Sequence, residues 1–167
     1  MLDITQFSSR FRVRRMTDAD ADVILDFCLQ HTAYYHYCGK QPTRDLILQD
    51  LHITPPNTRS DAKYYVGFYN GDTLAALLDL IVGYPKPTCA FIGFFMMNAR
   101  LQGHGIGSAI VQELLWYIHA EGFRRVRLGI DKGNPQSTHF WIKNGFRVIR
   151  EVAQEAGTVL LAERMLY

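Results

Sequence analysis

Three glycines at alternating positions mark Gln102-Gly103-His104-Gly105-Ile106-Gly107, a segment that separates an apolar run from an amphipathic one. Glycine accepts positive φ and has no Cβ, so the main chain of such a turn comes close to a ligand. Upstream, Ala90-Phe91-Ile92-Gly93-Phe94-Phe95-Met96-Met97 is apolar and aromatic, the pattern of a strand buried on both faces. Downstream, Ile106, Ile110, Leu114 and Ile118 recur at four-residue spacing with Val111 and Leu115 beside them, which predicts a helix with one apolar face. A glycine turn that opens a helix meets its ligand with unpaired N–H groups and the positive end of the helix dipole. Phosphate suits both, so the segment reads as a pyrophosphate site, with a plain tight turn as the alternative. Two nucleotide motifs fit less well. The dinucleotide fingerprint needs a glycine where Ser108 stands, and no Gly-Lys-Ser/Thr triplet follows as a Walker loop requires.

A second block lies downstream, Asn134-Pro135-Gln136-Ser137-Thr138-His139-Phe140-Trp141-Ile142-Lys143-Asn144-Gly145-Phe146. Together the two blocks resemble the GNAT superfamily of acetyl-coenzyme A dependent N-acetyltransferases. That signature is Gln or Arg, two residues, Gly, one residue, Gly or Ala, which Gln102, Gly105 and Gly107 fill. The second block is similar to the family's Asn-x-x-Ala...Tyr-x-x-x-Gly-Phe helix. The resemblance runs from about Phe91 to Phe146, and more loosely back to Phe11.

The resemblance implies acetyl-CoA as cofactor and a strand that splays from its neighbour to admit the pantetheine arm. Phe95, Met96 and Met97 would then offer main-chain groups to the arm. Gln102, Gly103, His104, Gly105, Ile106, Gly107 and Ser108 would hold the pyrophosphate, with the His104 side chain turned to solvent. Asn134, Ser137, Phe140 and Trp141 would lie on the cofactor side, although Asn134 is equally a helix cap and the two aromatic residues are equally core.

The implied reaction is attack of an amine on the thioester carbonyl, with an oxyanion stabilised by a backbone N–H near Met97. An alkyl ammonium with a pKa near 10.4 costs about 4.6 kcal/mol to neutralise at pH 7, and a thiol near 8.5 only about 2 kcal/mol to release as the anion. The base therefore matters more than the acid. Asp79 interrupts Leu77, Leu78, Leu80 and Ile81, where an unpaired carboxylate is costly, and is the candidate base; a carboxylate paired with Arg or a backbone N–H is the other reading. On the acid side, Trp141 stands where the family commonly places a Tyr, and an indole N–H is no general acid at neutral pH. Ser137, His139 or water takes that part, or the thiolate leaves unassisted. Tyr34, Tyr35, His36 and Tyr37 are candidates for the substrate pocket or for an aromatic cover over the sheet. The implied function is transfer of acetyl from acetyl-CoA to a primary amine of a small molecule or peptide. The rival is a non-catalytic or degenerate acyl-CoA-binding regulatory module, for which Trp141 argues.

Composition narrows the classes. With 167 residues, 48% of them hydrophobic, the chain reads as one N-acetyltransferase domain over 1–167. Eighteen basic and 16 acidic residues leave a net charge of +2, too little to indicate nucleic acid or an anionic membrane as partner. The basic cluster Arg124, Arg125, Arg127 reads as the solvated face of a strand. Three cysteines without paired spacing fit a reducing compartment, and the N-terminus lacks the apolar core of a signal peptide, so the expected location is cytoplasmic. Metal spacing is absent among the six histidines, and no metal is expected. Apolar runs are too short for a membrane helix. Exposed edge strands would allow a monomer or a homodimer.

The fold class expected is α+β of GNAT type, a mixed and mostly antiparallel sheet of six to seven strands with about four helices. Strands are predicted at Phe11–Arg15, Tyr64–Tyr69, Leu74–Tyr84, Ala90–Met97, Val126–Ile130, Phe146–Glu151 and Val159–Leu166. Helices are predicted after the capping box Thr17-x-x-Asp20, from Thr43 to His52, from Ile106 to a cap at Gly122, and from Pro135 behind Asn134. Thr32–Pro42 is expected to be a loop or a frayed helix end.

Overall fold

The computed structural model describes residues Met1–Tyr167. Twelve regular elements follow in the order β1 (Arg12–Arg15), α1 (Ala21–Leu29), α2 (Thr32–Cys38), α3 (Arg44–His52), β2 (Lys63–Asn70), β3 (Thr73–Val82), β4 (Cys89–Met97), α4 (Ile106–Ala120), β5 (Arg125–Asp131), α5 (Pro135–Lys143), β6 (Arg147–Gln154) and β7 (Gly157–Met165). The strands form a single sheet in the order β1-β2-β3-β4-β5-β7-β6. Only β4 and β5 pair in parallel, with α4 crossing over between them; short turns make β2–β3, β3–β4 and β6–β7 antiparallel, and β1–β2 and β5–β7 are antiparallel across longer connections. The architecture is α+β, with seven strands and five α-helices.

Period-two alternation gives the sheet two apolar faces. Leu78, Leu80, Ile92, Leu128 and Ile130 pack with Ile110, Val111, Leu114, Leu115 and Ile118 of α4. On the opposite face Tyr65, Tyr69, Leu77 and Met96 pack with Ile24, Phe27, Ile47 and Leu51 of α1 and α3. The helices of that second face cover β2 to β4 and leave the β5–β7 part of it open as a groove.

Local signals place the ends of the helices. The Thr17 N–H donates to Asp20 Oδ2 at 2.7 Å ahead of α1, and Thr43 Oγ1 accepts from Leu46 N at 3.2 Å at the start of α3. At α5, Asn134 Oδ1 accepts from Ser137 N at 3.2 Å with Pro135 in the first turn.

Two expectations need correction. Residues 32–38 are a helix, α2, and not a loop: Gly39 is the left-handed cap of that helix, with φ 72° and its N–H bonded to Tyr35 O at 3.2 Å. The helix count accordingly rises to five. The strand before the glycine loop is not buried on both faces throughout, since Gly93 is exposed and Phe91, Phe94 and Phe95 are half-buried. Two of the three clustered arginines are ion-paired: Arg125 and Arg127 reach Glu163 at 3.5 and 2.6 Å.

Gly93 changes the strand's course. Asp79 of β3 pairs with Phe94, but the next residue, Leu80, pairs with Ile92, so Gly93 is the extra residue of a β-bulge. Side-chain parity reverses there: Ile92 and Phe95 both face the α4 side, while Phe91 and Phe94 both face the groove side. Pairing between β4 and β5 spans only Cys89–Ile92 against Arg125–Leu128. Beyond it β4 stays with β3 and β5 with β7, and the two strands part.

Candidate active site

The parted strands open a cleft of about 530 Å³ between β4, the glycine loop and α5. Its floor is main chain. Asn98 N donates to Ala75 O at 2.7 Å, so by antiparallel alternation Met96 turns its N–H and C=O toward β3 while Phe95 and Met97 turn theirs into the cleft. The Met97 carbonyl is engaged there, 2.6 Å from His31 Nε2 and 3.4 Å from Gln102 Nε2.

The glycine loop closes one end. Gly103 and Gly105 have φ of 80° and 75°, the left-handed region that favours glycine, and a Cβ on either would meet nothing within 4 Å. Ala109 is the first amide of α4 with a backbone acceptor, Gly105 O at 3.0 Å, and none of the N–H groups from Gln102 to Ser108 has a partner in the chain. Gly107 serves packing: a Cβ there would lie 3.0 Å from Met97 Cγ and 3.3 Å from Phe140 Cε2, so the helix start sits directly on the end of β4. Side chains fix the assembly. Gln102 Oε1 accepts from Gln136 at 3.1 Å, and the buried Asn144 donates to Ser108 Oγ and accepts from Gln112, both at 3.0 Å, which ties the end of α5 to the start of α4.

A second, larger groove of about 1110 Å³ lies on the other side of the parted strands, between α2, α3 and the open face of β5–β7. Gly93, Phe94, Gly129 and Tyr34 line both cavities and so mark where they meet. At one glycine on each strand a neighbouring side chain takes the space of the missing Cβ, Asp79 at Gly93 and Val159 at Gly129.

Asp79 stands at that passage. It is 8% exposed, its Oδ2 accepts from Lys63 Nζ at 2.7 Å, and its Oδ1 is buried without any hydrogen-bond partner. The missing Cβ of Gly93 is what permits this, because one there would come within 2.8 Å of Oδ2. Burial pushes the Asp79 carboxyl up to about 6, against the opposing pull of Lys63. The carboxylate is therefore paired, with a lysine of the neighbouring strand and not with the Arg or backbone N–H expected.

The other expected residues divide by place. Phe95, Met96, Met97, Gln102, Gly103, Gly105, Ile106, Gly107, Ser108, Asn134, Ser137, His139, Phe140 and Trp141 line the cleft. His104 is exposed and lines neither cavity. Trp141 is buried edge-on against Phe140 and Phe146, so it is a core residue as well as part of the wall. Tyr34, Tyr35 and Tyr37 line the groove; His36 does not, and instead packs edge-on against the Tyr37 ring at the surface. Sequence reasoning missed His31, Lys63, Gly93, Gly129 and Asp131. A glycine inside an apolar strand run is a bulge signal, so Gly93 was open to detection.

The model of the acetyltransferase (GNAT) family matches residues 26–146. The chain belongs to the GNAT family. Its fold is similar to an acetyltransferase of Thermus thermophilus, at TM-score 0.73 and 22% identity over 92% of this chain and 96% of that one. It is also similar to an N-acetyltransferase of Staphylococcus aureus, at 0.65 and 20% over 93% and 98%. A third likeness is PaiA N-acetyltransferase of Thermoplasma acidophilum, solved with coenzyme A, at 0.66 and 14% over 92% and 97%. No match was found among curated proteins. This GNAT acetyltransferase has no helix long and apolar enough to cross a membrane, and no group of three or more His, Cys, Asp or Glu placed to hold a metal ion.

Proposed function

We propose that this acetyltransferase moves the acetyl group of acetyl-CoA to a primary amine of a small molecule or peptide, as a single domain over 1–167. The observation that carries the reading is the row of unpaired amides from Gln102 to Ser108 at the mouth of α4, opening on a cleft floored by main chain. Those amides and the helix dipole suit a pyrophosphate. The pantetheine arm would run along Phe95 and Met97 toward Gly93, bringing the thioester to the junction with the groove, where the amine waits. The PaiA complex with coenzyme A supports the cofactor assignment by likeness of fold.

In the reaction, nitrogen attacks the thioester carbonyl, the carbonyl oxygen takes up negative charge near the cleft-facing N–H of Phe95, since Met97 lies about 13 Å along the strand from Gly93, and the C–S bond breaks to release the thiolate. Asp79 is the proton acceptor, its buried Oδ1 reached through one water. Raising a carboxyl from 3.8 to about 6 narrows its gap to an ammonium by about 3 kcal/mol, so burial makes Asp79 a better base. Ser137 and His139, which line the cleft, and water supply the proton to the thiolate. The reading places the enzyme in the cytoplasm as a monomer or homodimer, with neither nucleic acid nor membrane as partner.

The test is free-thiol release from acetyl-CoA across a panel of amines. The expected result is amine-dependent release whose kcat/KM rises with pH through a midpoint near 6, as Asp79 loses its proton and becomes competent to accept another. Saturable acetyl-CoA binding with no release from any amine would instead mark a binding module.

A further inference from the structure

The groove holds more carboxylate than one reacting nitrogen uses. Asp131 follows Gly129 by two residues on β5, about 7 Å farther along the strand, and lines the groove half-buried without an ion pair or side-chain hydrogen bond. Asp50 of α3 lines the same space, also without an ion pair. Burial raises both carboxyls; Lys40 opposes the rise at each, and Lys63 helps at Asp50. Lys63 is already bound to Asp79, whose buried Oδ1 is bare. The remaining cations are committed or peripheral. Arg127 is held by Glu163 at 2.6 Å and Lys132 by Glu151 at 2.8 Å, while the exposed Arg150 of the edge strand β6 is offset by the exposed Glu155, which lines the same groove. Three carboxylates, Asp50, Asp79 and Asp131, thus share two lysines.

A cationic ligand makes up that deficit, but the attacking nitrogen must be neutral when it bonds to carbon, at a cost of about 4.6 kcal/mol for an alkyl ammonium at pH 7. A charge that persists through the reaction belongs to a different nitrogen. We propose that the acceptor is a dicationic amine of the aliphatic diamine class: one nitrogen reacts beside Asp79 at the Gly93 passage, and the second stays as an ammonium between Asp131 and Asp50. Tyr34 and Phe94, which wall the passage, give the methylene chain an apolar track. The inference rests on the acetyl-transfer reading above.

The experiment compares an α,ω-diamine with the n-alkylamine of equal chain length, by thiol-release kinetics with acetyl-CoA and by calorimetric titration into the CoA-saturated protein. The diamine is expected to show a kcat/KM about tenfold or more above the monoamine, carried in KM, the size of one partly buried ion pair. In Asp131→Asn the ratio of diamine to monoamine falls toward one in both measurements. Equal KM and equal affinity for the two amines, or a ratio that Asp131→Asn leaves intact, overturns the inference with acetyl transfer standing. Selective diamine binding without turnover overturns the transfer reading and the acceptor role with it, leaving the groove as a diamine-binding site alone.

Discussion

Asp79→Asn is expected to lower kcat by about 10²–10⁴-fold, the usual worth of a positioned general base. The amide keeps the carboxylate's shape and still accepts from Lys63 through its carbonyl oxygen, but it takes no proton at the former Oδ1. Circular dichroism should therefore report a folded protein, and the rise in kcat/KM through pH 6 should vanish along with the rate. Asp79→Ala probes something different. It strips the ammonium of Lys63, a residue 6% exposed, of its only hydrogen-bond partner, and removing one member of a buried ion pair costs about 3–5 kcal/mol. Comparing the two variants by thermal unfolding and thiol release separates the chemical part of this carboxylate from its structural part. An Asp79→Asn protein with full activity and an unchanged pH profile would remove Asp79 from the mechanism.

Gly105→Val is expected to weaken acetyl-CoA binding by about 10²–10⁴-fold. Gly105 holds φ 75° just ahead of α4, where a β-branched residue is strained, and its Cβ would project into open space at the amides that have no partner. Hydrogen bonds to a charged group contribute about 1.5–3 kcal/mol each, so misdirecting two amides gives a loss of that order. Stability should change little, by about 1–2 kcal/mol, because the loop is exposed. Calorimetric titration of acetyl-CoA reads the first effect and thermal unfolding the second. A variant that binds as the parent does would mean that the loop does not contact the cofactor.

The cleft proposed for the cofactor was legible from sequence because its working parts are backbone. A main-chain cradle needs glycine at fixed places, and a helix start needs its cap, so Gly103, Gly105, Asn134 and Pro135 announce themselves in one dimension. The strands were legible for a similar reason, since alternation and the Asn70-Gly71-Asp72 turn are local signals. Helix α2 was not, because its tyrosines and Thr32 are indifferent helix formers that are held by packing, Tyr34 against Phe94 and Tyr35 beside Cys28 and Tyr65. The groove was the least legible part. Asp79 shows as a polar interruption, but its partner Lys63 lies on another strand and comes opposite Ile81 only through the β2–β3 register. Asp131 looks like any residue at a strand end, and only the parting of β4 from β5 turns it into a wall. Charge balance in the groove depends on which long side chains meet, and that depends on tertiary structure alone.

Crystallography of the protein with coenzyme A tests the central claim most directly. The account predicts pyrophosphate oxygens within hydrogen-bond distance of amides between Gly103 and Ser108, the pantetheine arm laid along Phe95 and Met97 between β4 and β5, and the thiol at Gly93. Coenzyme A bound elsewhere, with those amides untouched, would contradict it.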